Sequence, residues 1–185
     1  MATFAEKAQE MIGMTPTYDD HQRAAIRAEA KRHATSTWFK TILDHHEAIE
    51  AAFQAVKEAS NATQRARLQT ELAGLLTGHS IAEEAIIYPF MKLEDSASDA
   101  KHAYAEQALA KMQMVALDQI KDKMSEEYTN KLEEIHDAVL HHMIEEERDF
   151  FPKLQEKATP AQNRKMTQHY ADEFSRYMKG EAVVA

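Results

Sequence analysis

Two stretches decide the reading: HSIAEEAIIYPFM, residues 79–91, and HMIEEERDFFPKL, residues 142–154. Both spell His, three residues, Glu-Glu, three residues, an aromatic and Pro. His79 and Glu83, like His142 and Glu146, stand four apart, a spacing that stacks two side chains on one helix face. The apolar residues around each pair keep the same period. Leu76 and Ile86 bracket the first pair, and Val139 and Phe150 the second. Polar pairs therefore occupy places on a helix where a core is expected.

Working outward, breaks at SNAT (60–63), PFMKLEDSASD (89–99) and KDKMS (121–125) divide the chain into four helical segments, about 36–60, 63–88, 97–122 and 126–150. Their stripes read Ile42, Ile49, Phe53, Val56; Leu72, Leu76, Ala82, Ile86; Leu109, Met112, Ala116, Ile120; and Leu132, Ile135, Val139, Met143, Phe150. Four helices of about 25 residues with short links predict an all-α, up-down-up-down four-helix bundle. The composition agrees, with 4 Gly and 4 Pro in 185 residues.

Every stripe is interrupted by ionisable groups: His46, His79 with Glu83, His102 with Glu106, and His142 with Glu146. One His-x3-Glu pair on its own reads as a solvated ion pair or a core histidine bonded to a carbonyl. Seven such groups on apolar stripes must be paired, neutralised or bound to a cation, because bare burial of charge is costly. Antiparallel helices also let their heights be compared. His46 precedes the turn near residue 62 by about as many residues as His79 follows it. Glu83 and His102 are matched in the same way about the turn near 93, and Glu106 and His142 about the turn near 124. Imidazole and carboxylate without thiolate suit iron, manganese or zinc; the number of groups suits two metals, and iron is preferred. Glu133 and His136 have the Glu-x-x-His spacing of another di-metal bundle, but Asp99–His102 is its nearest second copy.

Composition limits the function classes. The net charge of −9, from 22 basic and 31 acidic residues, disfavours nucleic acid and anionic lipid. The absence of cysteine excludes disulfides and thiolate catalysis. No basic stretch leads into an apolar run at the N-terminus, and no run suits a membrane span, so a soluble, cytoplasmic protein is expected.

The motifs resemble the hemerythrin-like HHE cation-binding family over about residues 36–154. ILDHHEAIEAAF is similar to its first-helix signature with His46 in register. LLTGHSIAEEAIIYP and VLHHMIEEERDFFP match its second- and fourth-helix boxes, and KHAYAEQALAKM is similar to its third helix. The resemblance implies His46, His79, Glu83, His102, His142 and Glu146 as ligands of two iron ions bridged by oxo and carboxylate groups. Glu106 stands where oxygen-carrying members have histidine, and is read as a seventh ligand that favours ferric iron. The expected function is oxygen, peroxide or iron handling in stress or redox defence; the alternative is an iron or oxygen sensor signalling through its flanking helices.

The remaining groups receive plainer readings. Glu84 and Glu147, roughly 140° round the helix from their histidines, are expected to support the site or face solvent, with solvent favoured. The aromatic-Pro pairs are expected to end their helices, with Tyr88 and Phe151 capping the core. Glu50 lies at the seam's edge. His141 is read as surface, His21, His33, His136 and His169 as surface or local hydrogen-bond residues, and His45 lies off the His46 register. Residues 1–35 and 155–185 are read as extensions. TPTYDDHQRAAIRAEAKRH gives a turn and a short helix. ATPAQNRKMTQHYADEFSRYMKG gives a helix with Thr159 as N-cap, Pro160 at N1, Gly180 as stop and a stripe of Met166, Tyr170, Phe174 and Tyr177. That stripe should cover the bundle or a second subunit, giving a monomer or a homodimer.

Overall fold

The computed structural model describes residues 18–94 and 96–180. Among them every regular element is helical. A short α1 (Asp20–His33) precedes the bundle. Its first rod is α2 (Thr37–Lys57). The second, α3 (Ala62–Ala82), continues through one π-helical turn, Glu83–Ile87, into Tyr88–Leu93. The third is α4 (Ala97–Gln119). The fourth, α5 (Glu126–Glu145), likewise continues through a π-turn, Glu146–Phe150, into Phe151–Lys157. A last helix, α6 (Pro160–Met178), completes the chain's described elements. The Thr-Pro start of the N-terminal turn expected before α1 lies outside the described residues.

Thr159 caps the last helix as read, and three further helix starts have side-chain caps. Asp19 and Thr159 each close a capping box, with Gln22 and Gln162 as the reciprocal partners. Asn61 and Ser125 accept from Gln64 N–H and Tyr128 N–H. Gly180 has φ 68°, a left-handed conformation that ends α6.

The two prolines do not end their helices, contrary to expectation. Pro lacks an N–H and its ring crowds the carbonyl four residues back. Here the preceding turn widens instead: Tyr88 N–H reaches Glu83 O, and Phe151 N–H reaches Glu146 O, each five residues back. The rod continues past the Pro at the cost of one loosened turn. That turn begins at Glu83 in one rod and at Glu146 in the other, and π-turns occur frequently at functional sites.

Buried side chains form two apolar clusters. One gathers Trp38, Phe39, Ile42, Ile87, Phe151 and Met166, among others; the second gathers Ile49, Phe53, Leu72, Tyr128, Leu132 and Ile135. The stripes of α2 and α5 are buried as read. That of α4 is not. Its inward face is Ala100, Ala103, Gln107, Leu109, Gln113 and Leu117, so Leu109 is buried as read, whereas Met112 and Ala116 are exposed. Small and amide side chains make up most of this face, so a search for large apolar residues finds Leu109 but strays to Met112 and Ala116.

Both flanking helices lie on the bundle. α6 packs along α3 and α2, burying Met166 and Tyr170. Gly78 allows the close approach: a Cβ there would meet Tyr177 Cδ1 at 2.9 Å. α1 packs against α2 and α5.

Candidate metal centre

Between the two apolar clusters lies a polar layer. His46, Glu83 and Glu146 are fully buried, and His79 and His142 nearly so. Glu83 faces two imidazoles, with Oε1 4.0 Å from His46 Nε2 and Oε2 3.2 Å from His79 Nε2. Glu146 does the same, with Oε2 3.3 Å from His46 Nε2 and Oε1 3.4 Å from His142 Nε2. The i,i+4 pairs read from sequence are thus real on both rods, and α2 inserts His46 between them.

The outer nitrogen of each ring is held. His46 Nδ1 donates to Glu147 Oε1 at 2.7 Å, and His142 Nδ1 donates to Glu106 Oε2 at 2.8 Å. His79 Nδ1 lies 3.0 Å from the Tyr170 hydroxyl, which also lies 2.8 Å from His45 Nδ1. Of the two assignments that satisfy this chain, the one in which His79 donates to Tyr170 and Tyr170 donates to His45 turns the His79 Nε2 lone pair inward, as the Glu147 contact does for His46; this is the tautomer a metal requires, and His142 reaches it on losing its second proton.

The inward atoms lack partners. His46 Nε2, His79 Nε2, Glu83 Oε1 and Glu146 Oε2 are buried without a hydrogen bond. Four orphaned polar atoms in one place would be expensive in a finished core. Burial lowers the pKa of His46 and His79 well below the ordinary imidazole value, with nearby Arg23 and His46 respectively adding to it. Burial raises Glu83 and Glu146 well above the ordinary carboxylate range. For His142 burial acts downward, but Glu146 and Glu106 outweigh it and push the imidazole up to about 9. Without a cation His46, His79, Glu83 and Glu146 therefore drift toward neutral forms, while His142 keeps its second proton; a bound cation removes the need for either. Donor atoms of His46, His79, Glu83 and Glu146 lie within 4.8 Å of one another, close enough to share an ion. The residues present fit a metal.

Of the seven residues expected to form one site, five converge. Glu106 stands behind His142, bonded to its outer nitrogen. His102 is half-exposed and forms a separate group with Glu106 and Glu145, at 3.3 Å and 3.1 Å. The residue α4 presents to the centre is Gln107, whose Nε2 donates to Glu83 Oε2 at 2.8 Å and to the Tyr88 hydroxyl at 3.0 Å. Its polarity on an inward face was the available signal.

Tyr88 is more than a core cap. Its hydroxyl donates to Glu146 Oε1 at 2.8 Å and lies 3.3 Å from Glu83 Oε2 and 3.2 Å from His142 Nε2. In a regular helix Tyr88 would point roughly 140° away from Glu83; the π-turn stacks residues five apart and brings them together.

Glu147 is buried, against the solvent-facing expectation, because α1 covers that side of the bundle. Arg23 binds it through Nη1 at 2.6 Å and Nη2 at 2.8 Å, and Arg27 Nε donates to it at 2.9 Å. Burial raises its pKa to about 7 against the opposing pull of Arg23. Glu50 joins the same arginines, at 2.5 Å from Arg23 Nη2 and 2.6 Å from Arg27 Nη2, and stays outside the centre. Glu84 pairs with Lys111 at 2.6 Å. His141 is also not a surface residue: it is partly buried, and its Nδ1 has no partner. His136 is half-buried, edge-on to Phe53. His21, His33 and His169 are exposed as read.

No helix among the described residues is long and apolar enough to cross a membrane. The family model for the Hemerythrin HHE cation binding domain matches residues 38–154, more than half of the chain. No curated protein and no solved structure matches it.

Proposed function

The chain belongs to the hemerythrin HHE cation-binding domain family, and on that premise we propose that it is a non-haem iron protein that reduces oxygen or peroxide. The observation that carries this reading is the set of orphaned atoms: His46 Nε2, His79 Nε2, Glu83 Oε1 and Glu146 Oε2. With His142 they give three imidazoles and two carboxylates, donors that suit iron. Each carboxylate faces two imidazoles, so Glu83 and Glu146 would hold the ions together with His46, His79 and His142. Bound iron would supply a change of oxidation state and an open coordination position.

The chain's own groups do the rest. Glu147, Tyr170 and Glu106 fix the ring orientations and raise the basicity of the imidazoles. Glu106 adds a negative charge one bond behind His142, which favours ferric iron and net reduction over reversible carriage. Tyr88 donates its hydroxyl proton to Glu146 Oε1 with Glu83 Oε2 beside it, and burial together with the two carboxylates holds that proton on the phenol. The two apolar clusters enclose the centre above and below along the bundle. On this reading His102 lies outside the donor set, and Glu106 acts as a support.

The test is metal analysis of protein purified without added metal, joined to the optical spectrum. Two irons per chain, and stoichiometric reoxidation of the ferrous protein by hydrogen peroxide, are expected. One iron per chain would remove the pair of ions, and full loading with zinc in cells would remove the redox reading.

A second reading, a sensor of iron or oxygen, is favoured by one arrangement. α1 holds Glu147 and through it His46, while α6 holds His79 through Tyr170. A change at the metal that moves either ring would be felt by a flanking helix. Limited proteolysis tests it: cleavage within α1 or α6 should change several-fold on metal removal, and equal rates would remove this reading.

A further inference from the structure

A cavity of about 550 Å3 opens between α3 and α4 and runs inward to α5. Ile49, Leu76, Ala110, Met114, Val139 and Met143 line its length. His79, Gln107 and His142 close its inner end, so it reaches the proposed iron ligands. The volume is far more than a diatomic needs, since one water claims about 30 Å3 of liquid. It lies within the roughly 300–1,000 Å3 of organic ligand sites, which are likewise apolar with a few polar groups.

Charge narrows the occupant. Lys111 at the wall is bound to Glu84 at 2.6 Å, Glu106 is bound to His142 at 2.8 Å, and Asp118 accepts from Gln69 at 3.2 Å. The lining thus offers no unpaired ammonium or guanidinium to meet an anion. Depth argues against a peptide. The inner end is formed by buried residues, and a backbone pushed that far would leave its own polar groups without partners.

We propose that this cavity is the binding site of an uncharged, mostly apolar organic molecule of medium size, which lies along α3 and α4 with one end beside His142 and Gln107. The inference rests on the iron reading only for its meaning; the binding itself does not require metal. It gives the centre a substrate or effector class beyond oxygen and peroxide.

The experiment titrates the full chain, iron-loaded and metal-free, with N-phenyl-1-naphthylamine, an uncharged dye that fluoresces in apolar surroundings. Saturable one-to-one binding is expected in both forms. In the metal-free form 1-decanol should displace the dye, and decanoate at pH 8 should do so about tenfold less well, because the one cationic group at the inner end, His142, is already paired with Glu106 and Glu146. Ala110→Phe and Ala73→Phe, on facing helices, should each weaken the dye about tenfold or more. In metal-free protein, 1-decanol should shift the methyl resonances of Val139 and Met143. Iron content, assayed in parallel, reports on the iron reading separately. Absence of saturation, decanoate as effective as decanol, or unmoved Val139 and Met143 resonances would each overturn the proposal. Where a Phe variant fails to fold, these measurements on the unsubstituted chain still decide.

Discussion

His46, His79 and His142 each turn one nitrogen inward and give the other to a partner on a different helix. On the proposed reading the inward atoms would bind the metal, and the partners would set how well. Support of this kind is typically worth about 10–100-fold in metal affinity. Tyr170→Phe removes the acceptor of His79 while keeping the ring that packs beside it. Its iron affinity should fall by about 10–100-fold in competition with a chelator, with little loss of helix content. An unchanged affinity would show that Tyr170 only fills space. At this scale the ligand pairs were legible, because i,i+4 spacing is a local property. The partners were not: Glu147 and Tyr170 are far from their histidines in sequence, and nothing local couples them.

The π-turns and the flanking helices belong to the scale of elements. Each π-turn lets a rod pass a proline and rotates the helix beyond it, which is how Tyr88 comes to stand over both carboxylates. α1 adheres through Arg23 and Arg27, which are buried against Glu147 and Glu50. Removing one partner from a buried ionic network typically costs about 3–5 kcal/mol, because the other charge is left uncompensated. Arg27→Ala should therefore destabilise the chain by about 3 kcal/mol in urea unfolding, and should also weaken iron binding as Glu147 relaxes. α6 adheres through close packing over Gly78. Gly78→Val would press on Tyr177, cost about 1–3 kcal/mol, and draw Tyr170 from His79. A lower melting temperature together with weaker metal binding is the expected pair of outcomes; loss of stability alone would uncouple α6 from the centre.

For the whole molecule, the buried polar layer divides one core into two apolar clusters and weakens the fold unless a cation fills it. Metal that binds the folded chain alone stabilises it by about 4 kcal/mol when its concentration is a thousand times Kd. In a chain of this size 1 kcal/mol moves the melting temperature by about 2–4 °C. Chelation should then lower the transition by roughly 10 °C in calorimetry. A transition unmoved by chelator would mean that the layer is held by its own hydrogen bonds.

The amino-acid sequence by itself determined the helices, the Thr159 cap, the antiparallel order and the residues His46, His79, Glu83, His142 and Glu146. Periodicity, capping and loop length are read within a few turns of chain, and the His-x3-Glu boxes carry their geometry with them. Only the tertiary structure decided which face of α4 turns inward, that Glu106 hydrogen-bonds His142 Nδ1, that His102 groups with Glu106 and Glu145, and that α1 buries Glu147. Those outcomes depend on how rods rotate about their axes and on which helix covers which side. Packing between distant segments sets both, and no local pattern records it.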